Sequence, residues 1–352
     1  MSQRGSDVLS IVERYFEVKD FTEVESNVYR MQVIGVKEGS LASSFRALYR
    51  ELVRTGHAPL IRREGSALYL IVSSYSRRFN FVTWIVLAAF TVLSVYYSGY
   101  ALMRLPSGGA LTPLFYTVGL LAPLLIHEMG HWVTMRRYGV PRSPPYLIPA
   151  PPLQLGFLGT LGAVINMKWV PATADELALI GVSGPLAGFI AGVPLAIVGL
   201  KTSALMPASS VPPSSTISAV PVIMYLLLAT IHAPAGYDVV VSPLALAAYI
   251  VFFVTFLNLI PVGQLDGGHV IRAALGVKGH MVVSFVFILV LLSLGVYMPT
   301  LGLFGIIALA IFLLTRGRHP GPAIEQSRLG KVGIVAVIIY GVLLALTMPI
   351  PS

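Results

Sequence analysis

Beyond residue 78 the sequence carries only six acidic residues, Glu128, Asp175, Glu176, Asp238, Asp266 and Glu325, and long apolar runs fill the space between them. Apolar residues make up 56% of the 352 positions and charged residues 11%, where an ordinary soluble domain carries about 25% charge. A chain of this kind has to bury most of its length in lipid. An ionisable group inside an apolar run is costly there, so each one is a candidate for function.

The apolar runs fall at about 80–103, 112–136, 177–200, 242–260, 280–298, 300–315 and 332–349, with a shorter one at 218–232. A membrane span needs about 20 apolar residues, with a range of about 17 to 25. The run at 218–232 is short and broken by Pro221, and the run at 300–315 is also short. If the N-terminus is cytoplasmic and 218–232 does not cross, the cytoplasmic loops hold Arg136, Arg137, Arg142, Lys168, Arg272, Lys278, Arg316, Arg318, Arg328 and Lys331. The outer loops then hold only Arg104 and Lys201. Lys and Arg favour the cytoplasmic side, so the net charge of +9 is a topology signal and not a nucleic-acid one. The chain has no cysteine, which excludes disulfide scaffolds, thiolate nucleophiles and Cys-based metal sites. Residues 1–25 mix acids and bases around isolated apolar positions, so no signal peptide is expected.

Residues 1–78 read differently. A helical spacing of Val8, Leu9, Ile11, Val12, Tyr15 and Phe16 precedes a strand-like run, Asn27 to Ile34. An amphipathic stretch from Leu41 to Val53 follows, and then two strand candidates, Ala58–Ile61 and Ala67–Val72. The fold class expected is a polytopic α-helical membrane protein with six to seven transmembrane helices, preceded by a small soluble α/β domain on the cytoplasmic side. Regulation, partner docking or substrate gating are the roles open to that domain. The division lies at 1–78 and 79–352.

Chemistry concentrates in His127-Glu128-Met129-Gly130-His131, which fits H-E-x-x-H. Residues four apart share a helix face, so the imidazoles converge on one metal ion with Glu128 beside them. Neutral imidazole suits zinc, and Glu at this spacing can take a proton from zinc-bound water. Three ionisable groups in one turn of a membrane helix need a compensating partner, and a metal supplies one. A catalytic zinc keeps three protein ligands and an open position. His232, His269, His280, His319, Asp238 and Asp266 are the types available for the third. Asp266 is the best placed: Pro261 ends the preceding span, and Gly267-Gly268 permits a tight turn that folds Asp266 back into the bundle. His127 lies about 15 Å from the Arg137 end of its helix. Asp266 reaches that face only if 218–232 does not cross, the condition that the charge count also requires.

HEMGH, Gly184-Pro185-Leu186-Ala187-Gly188 and the N-x-x-P-x-x-x-x-D-G pattern of Asn258, Pro261, Asp266 and Gly267, in this order, resemble the site-2 protease family of intramembrane zinc metalloproteases. Pro145 to Pro149 and Leu155 to Ala163 look closest to its chloroplast-type members and their prokaryotic relatives. The resemblance covers about residues 112–275. It implies one zinc ion per chain on His127, His131 and Asp266, Glu128 as general base, and Asn258 holding substrate or tetrahedral intermediate. Its implied substrates are transmembrane segments of other proteins, cleaved within the lipid bilayer. The setting is then a multi-pass protein in the cell membrane of a prokaryote. It also implies that the stretch with Gly156, Gly159 and Gly162 is a membrane-dipping hairpin whose edge receives an unwound substrate; a flexible loop or close packing is the plainer reading of those glycines. Gly184 and Gly188, one turn apart, read as helix packing. His269 is an alternative ligand or a hydrogen-bonding histidine. Two competing functions stay open: a transporter or channel lined by His127, Glu128, His131 and Asp266, and a catalytically idle relative that binds membrane partners.

Overall fold

The computed structural model describes residues 3–211, 217 and 219–351. The N-terminal part contains α1 (Gln3–Val12), β1 (Phe16–Glu25), β2 (Val28–Val36), α2 (Leu41–Thr55), β3 (His57–Glu64) and β4 (Ala67–Ser74). The strands form one antiparallel sheet in the order β1-β2-β4-β3. α2 starts on a capping box at Ser40 and closes on Gly56 in the left-handed conformation. Those signals match the physics of helix ends. α2 packs Phe45, Leu48, Tyr49 and Leu52 onto the sheet, where all four are buried.

The helical spacing read across Val8–Phe16 spans two elements. α1 ends at Val12, and Phe16 opens β1, a strand the sequence pattern did not suggest. The reason is visible in β1 itself. Of its ten residues only Phe16 is buried, and its pairing with β2 is interrupted three times. With so little buried surface, the strand leaves no alternating apolar signal.

The rest of the chain is dominated by helices: α3 (Phe81–Leu102), α4 (Thr112–Tyr138), α5 (Ala174–Lys201), α6 (Val222–Leu228), α7 (Pro243–Leu259), α8 (Asp266–Leu294), α9 (Pro299–Leu314) and α10 (Lys331–Thr347). Among the described residues, α3, α5 and α8 are long and apolar enough to cross a membrane, and α7, α9 and α10 are shorter apolar helices. Large apolar side chains point outward from them, with Leu93 64% exposed, Phe90 61% and Leu314 85%. A water-soluble surface rarely tolerates such contiguous apolar area; lipid does. The chain is a membrane protein by this composition.

Short antiparallel pairs join the helices. β5 (Tyr146–Pro149) pairs with β6 (Thr160–Val164), forming the hairpin between α4 and α5. β7 (Ala204–Pro207) pairs with β9 (Tyr237–Val240), and β8 (Ala219–Pro221) with β10 (Pro349–Pro351). The run at 218–232, described from 219 onward, contains β8 and, as its helix, the seven residues of α6. At 1.5 Å per residue that is about 10 Å, a third of a bilayer core. The pairing of β7 with β9 brings the end of α5 and the start of α7 next to each other, and among the described residues the run holds no helix of spanning length.

One helix boundary departs from the sequence reading. α8 begins at Asp266, fourteen residues before the apolar run at 280–298, and bends at Gly276, whose φ is 70° and ψ −166°. Gly267 and Gly268 are therefore helical, not a turn. Their hydrogens face the carbonyls of Leu259 and Gly263, where a Cβ would overlap. The turn itself lies upstream, at Gly263 with φ 56°.

Candidate metal centre

α4 brings His127 and His131 to one face, one turn apart, with their Nε2 atoms 3.2 Å from each other. The Nδ1–H of His131 donates to the carbonyl of Ile180 on α5 at 2.7 Å. That bond selects the tautomer and leaves the Nε2 lone pair free to ligate. Asp266, the first residue of α8, completes the group: Oδ2 lies 3.2 Å from His127 Nε2, and Oδ1 lies 3.2 Å from His131 Nε2.

These atoms fit one metal ion. With bonds of about 2.0–2.1 Å, a tetrahedral ion holds its ligand atoms about 3.3 Å apart. The His131 Nε2 lone pair faces a second imidazole nitrogen and a carboxylate at that spacing. A cation satisfies all three at once. Among the described residues, His127, His131 and Asp266 are the one group of three or more His, Cys, Asp or Glu whose ligand atoms cluster closely enough to share an ion. The donor set of two imidazoles and one carboxylate is a zinc set with room for a fourth ligand.

Glu128 is buried beside the group and lines the same cavity of about 590 Å³. The Nδ2 of Asn258, from the last turn of α7, comes within 3.5 Å of His127 Nε2. All five residues singled out by the motifs thus meet in one place. The other candidates for the third ligand stand outside the group that could share an ion, although His269 lines the same cavity. His232 is exposed, and Asp238 sits in β9. The His269 Nδ1–H donates to the Leu265 carbonyl at 2.9 Å, and its ring packs against His319, which in turn packs against His280.

Close helix packing holds the ligands in place, and glycines on α5 permit it. A Cβ on Gly184 would overlap the ring of His131, and one on Gly188 would lie 3.0 Å from the Cβ of His127. A Cβ on Gly181 would meet the Asp266 carbonyl oxygen at 2.7 Å. The packing role read from GPLAG is correct, and the partner it packs against is the ligand pair. On α4, Gly130 answers with its own close approach to Ser183.

The hairpin edge borders the same space. Ala163 and Val164 of β6 and the chain after it, through Asn166 and Lys168, line the cavity. Gly156, Gly159 and Gly162 all have positive φ, between 82° and 101°. Gly156 and Gly162 have open space where a Cβ would stand, so backbone conformation explains these two, while Gly159 also packs closely on Val95. The hairpin is fastened to α3: the Trp84 Nε1–H donates to the Pro145 carbonyl at 2.6 Å, and the Ser94 hydroxyl to the Ala150 carbonyl at 2.6 Å. Residues of the N-terminal sheet, Leu60 and Arg62, also reach the cavity. Nothing local in the sequence marks them. Burial lowers the pKa of the Arg62 guanidinium, and the neighbouring Glu325 carboxylate opposes that shift.

Known proteins resemble part of this sequence. The chain is 27% identical over 244 residues to a protein of Oryza sativa subsp. indica named "Probable zinc metalloprotease EGY2, chloroplastic", covering 64% of this chain and 41% of that relative. It is 33% identical over 181 residues to "Probable zinc metalloprotease EGY1, chloroplastic" of Arabidopsis thaliana, covering 49% of this chain and 31% of the relative. The chain therefore spans well under half the length of these relatives. No solved structure matches it significantly. The pattern of Peptidase family M50 matches residues 115–298, more than half of the chain, from within α4 to beyond α8 and so including His127, His131 and Asp266, and the chain belongs to that family.

Proposed function

We propose that this protein is an intramembrane zinc metalloendopeptidase of the site-2 protease type, cutting peptide bonds in or near transmembrane segments of other proteins. The observation that carries this is the convergence of His127, His131 and Asp266 at 3.2 Å spacings, with Glu128 alongside, inside an apolar helical bundle. His127, His131 and Asp266 would hold the ion. Zinc bound there supplies a Lewis acid and a water whose pKa falls to about 7.

The chain's own residues do the rest. Glu128 accepts the proton of the attacking water and passes it to the leaving amine, as a buried carboxylate in a water-reached cavity can. Asn258, which lines the cavity beside His127, donates from Nδ2 to the substrate carbonyl oxygen as it gains charge. A transmembrane helix hides its peptide bonds in its own hydrogen bonds, so the substrate has to be held extended. The edge of β6, bordering the cavity, offers backbone groups for such strand addition.

Seven crossings follow from this reading: α3, α4, α5, α7, α8, α9 and α10, with the N-terminal domain cytoplasmic in a prokaryotic cell membrane. The contacts of that domain support it, since it packs on residues 169–176 and 322–324, within the two connections that also carry Arg142, Lys168, Arg316, Arg318 and Arg328, and such bases favour the cytoplasmic side. Replacing Glu128→Gln removes the base while keeping the ligands. Cleavage of a reconstituted single-span probe should fall at least a thousandfold with zinc content unchanged; full cleavage by that variant would sink the proposal.

A further inference from the structure

The N-terminal sheet does not hang beside the membrane part; it is built into it. The Ile61 N–H of β3 donates to the Ala323 carbonyl at 2.9 Å, and Ala323 and Ile324 in turn donate to Pro171 and Ala172 at 2.8 and 2.9 Å. The sheet thus continues past its edge strand into two loops of the membrane domain. Ala172, Ala323 and Ile324 are buried in the sheet's own core. The Trp169 Nε1–H donates to the Pro59 carbonyl, the Tyr49 hydroxyl to the Val170 carbonyl, and Arg46 pairs with buried Glu176 at 2.9 Å.

This docking aims one face of β3 at the metal site. Ile61 is fully buried in the core, and strand side chains alternate between faces. Its neighbours Leu60 and Arg62 therefore point the other way, and both line the cavity that holds His127 and Glu128. Arg62 is fixed there by its Nη1–H bonds to the Ile61 and Ala323 carbonyls at 2.9 and 2.8 Å, and by Glu325 at 3.6 Å. Lys168 also lines the cavity, its ammonium donating to the Arg78 carbonyl at 2.8 Å. The lining acids, Glu128 and Asp266, sit at the metal group, so the part of the cavity away from it presents cations.

We propose that β3 forms one wall of the substrate cleft, with Leu60 packing on the extended substrate and Arg62 selecting for an acidic side chain in the segment that leaves the metal site. This rests on the reading of the site as peptide-hydrolysing. Leu60 and Arg62 are then specificity determinants, and the N-terminal domain is part of the active enzyme.

Two measurements on the full chain test it. In the first, the Glu128→Gln protein carries a photo-crosslinking benzoylphenylalanine in place of Leu60, of Asn166, which lines the same cavity just after β6, or of Ile34, exposed on β2 and outside the cavity. The probe is a synthetic peptide with one apolar span and a flank bearing either Asp or Lys. Crosslinks are expected from positions 60 and 166 and not from 34. In the second, Arg62→Gln in the otherwise unaltered enzyme should lower kcat/KM for the Asp probe about threefold to fivefold, the scale of a partly exposed ion pair. The loss should appear in KM, spare the Lys probe, and be reversed by Arg62→Lys. Crosslinking from 166 without 60, or an equal loss for both probes, overturns this inference and leaves the proposed function standing. No crosslink from either position overturns the reading of the cavity itself.

Discussion

At the scale of single residues the site is a problem of lone pairs. His131 has one ring nitrogen committed to Ile180, and the other faces His127 and Asp266 at contact distance. Asp266→Asn removes the only anionic ligand, and metal content measured by atomic absorption should drop from one ion per chain to well below a tenth. Gly184→Ala is the subtler case, because no ligand changes. Its new Cβ overlaps the His131 ring and must push the imidazole away. Zinc affinity, measured by chelator competition, should weaken about 10- to 100-fold, the range for disturbed supporting contacts; retained affinity would mean that α5 yields instead. HEMGH is legible from spacing and Asp266 from its place after Pro261, while Asn258 is legible only through the family resemblance. The supporting partners are not legible, since a carbonyl such as that of Ile180 carries no sequence signature.

At the scale of elements, hydropathy located most helices to within a few residues, because lipid demands unbroken apolar runs with internally paired backbones. It failed where burial by protein replaced burial by lipid. The first turns of α8, starting at Asp266, contain Gly267, Gly268 and Arg272, which no hydropathy window would select, yet they pack against α5 and the α7–α8 turn. β1 failed for the opposite reason, having almost nothing to bury. The pairing of β7 with β9 makes a sharp topological statement. The chain lacks cysteine, so single replacements are clean reporters. Ser210→Cys and Asp238→Cys, both exposed, should react with an impermeant maleimide from the same side of sealed vesicles, and Arg318→Cys from the opposite side. Labelling of positions 210 and 238 from different sides would mean that α6 and its flanks cross.

The whole molecule is one assembly of an apolar bundle and a polar sheet that share a cavity. A sequence reading separates the two at residue 78, because composition changes there. It cannot see that Ala323 and Ile324 complete the core of a sheet more than 240 residues earlier. Among the contacts that join them, Arg46 is 42% exposed, while its partner Glu176 is 4% exposed. Arg46→Ala leaves a buried carboxylate short of one donor, at a cost on the order of 1 kcal/mol once solvent screening is allowed for. Trypsin should then cut the Arg77–Arg78 connection several-fold faster, with the bundle intact; an unchanged rate would show that the sheet continuation alone holds the domain.

The central claim is a single ion on two imidazoles and one carboxylate inside the bundle. X-ray absorption at the zinc edge, on protein purified without chelators, tests it most directly. The account predicts one zinc per chain with two nitrogen ligands from histidine and oxygen ligands from Asp266 and water, a signal lost in Asp266→Asn. A chain that holds no stoichiometric zinc, or whose zinc survives that substitution with its coordination unchanged, would contradict it.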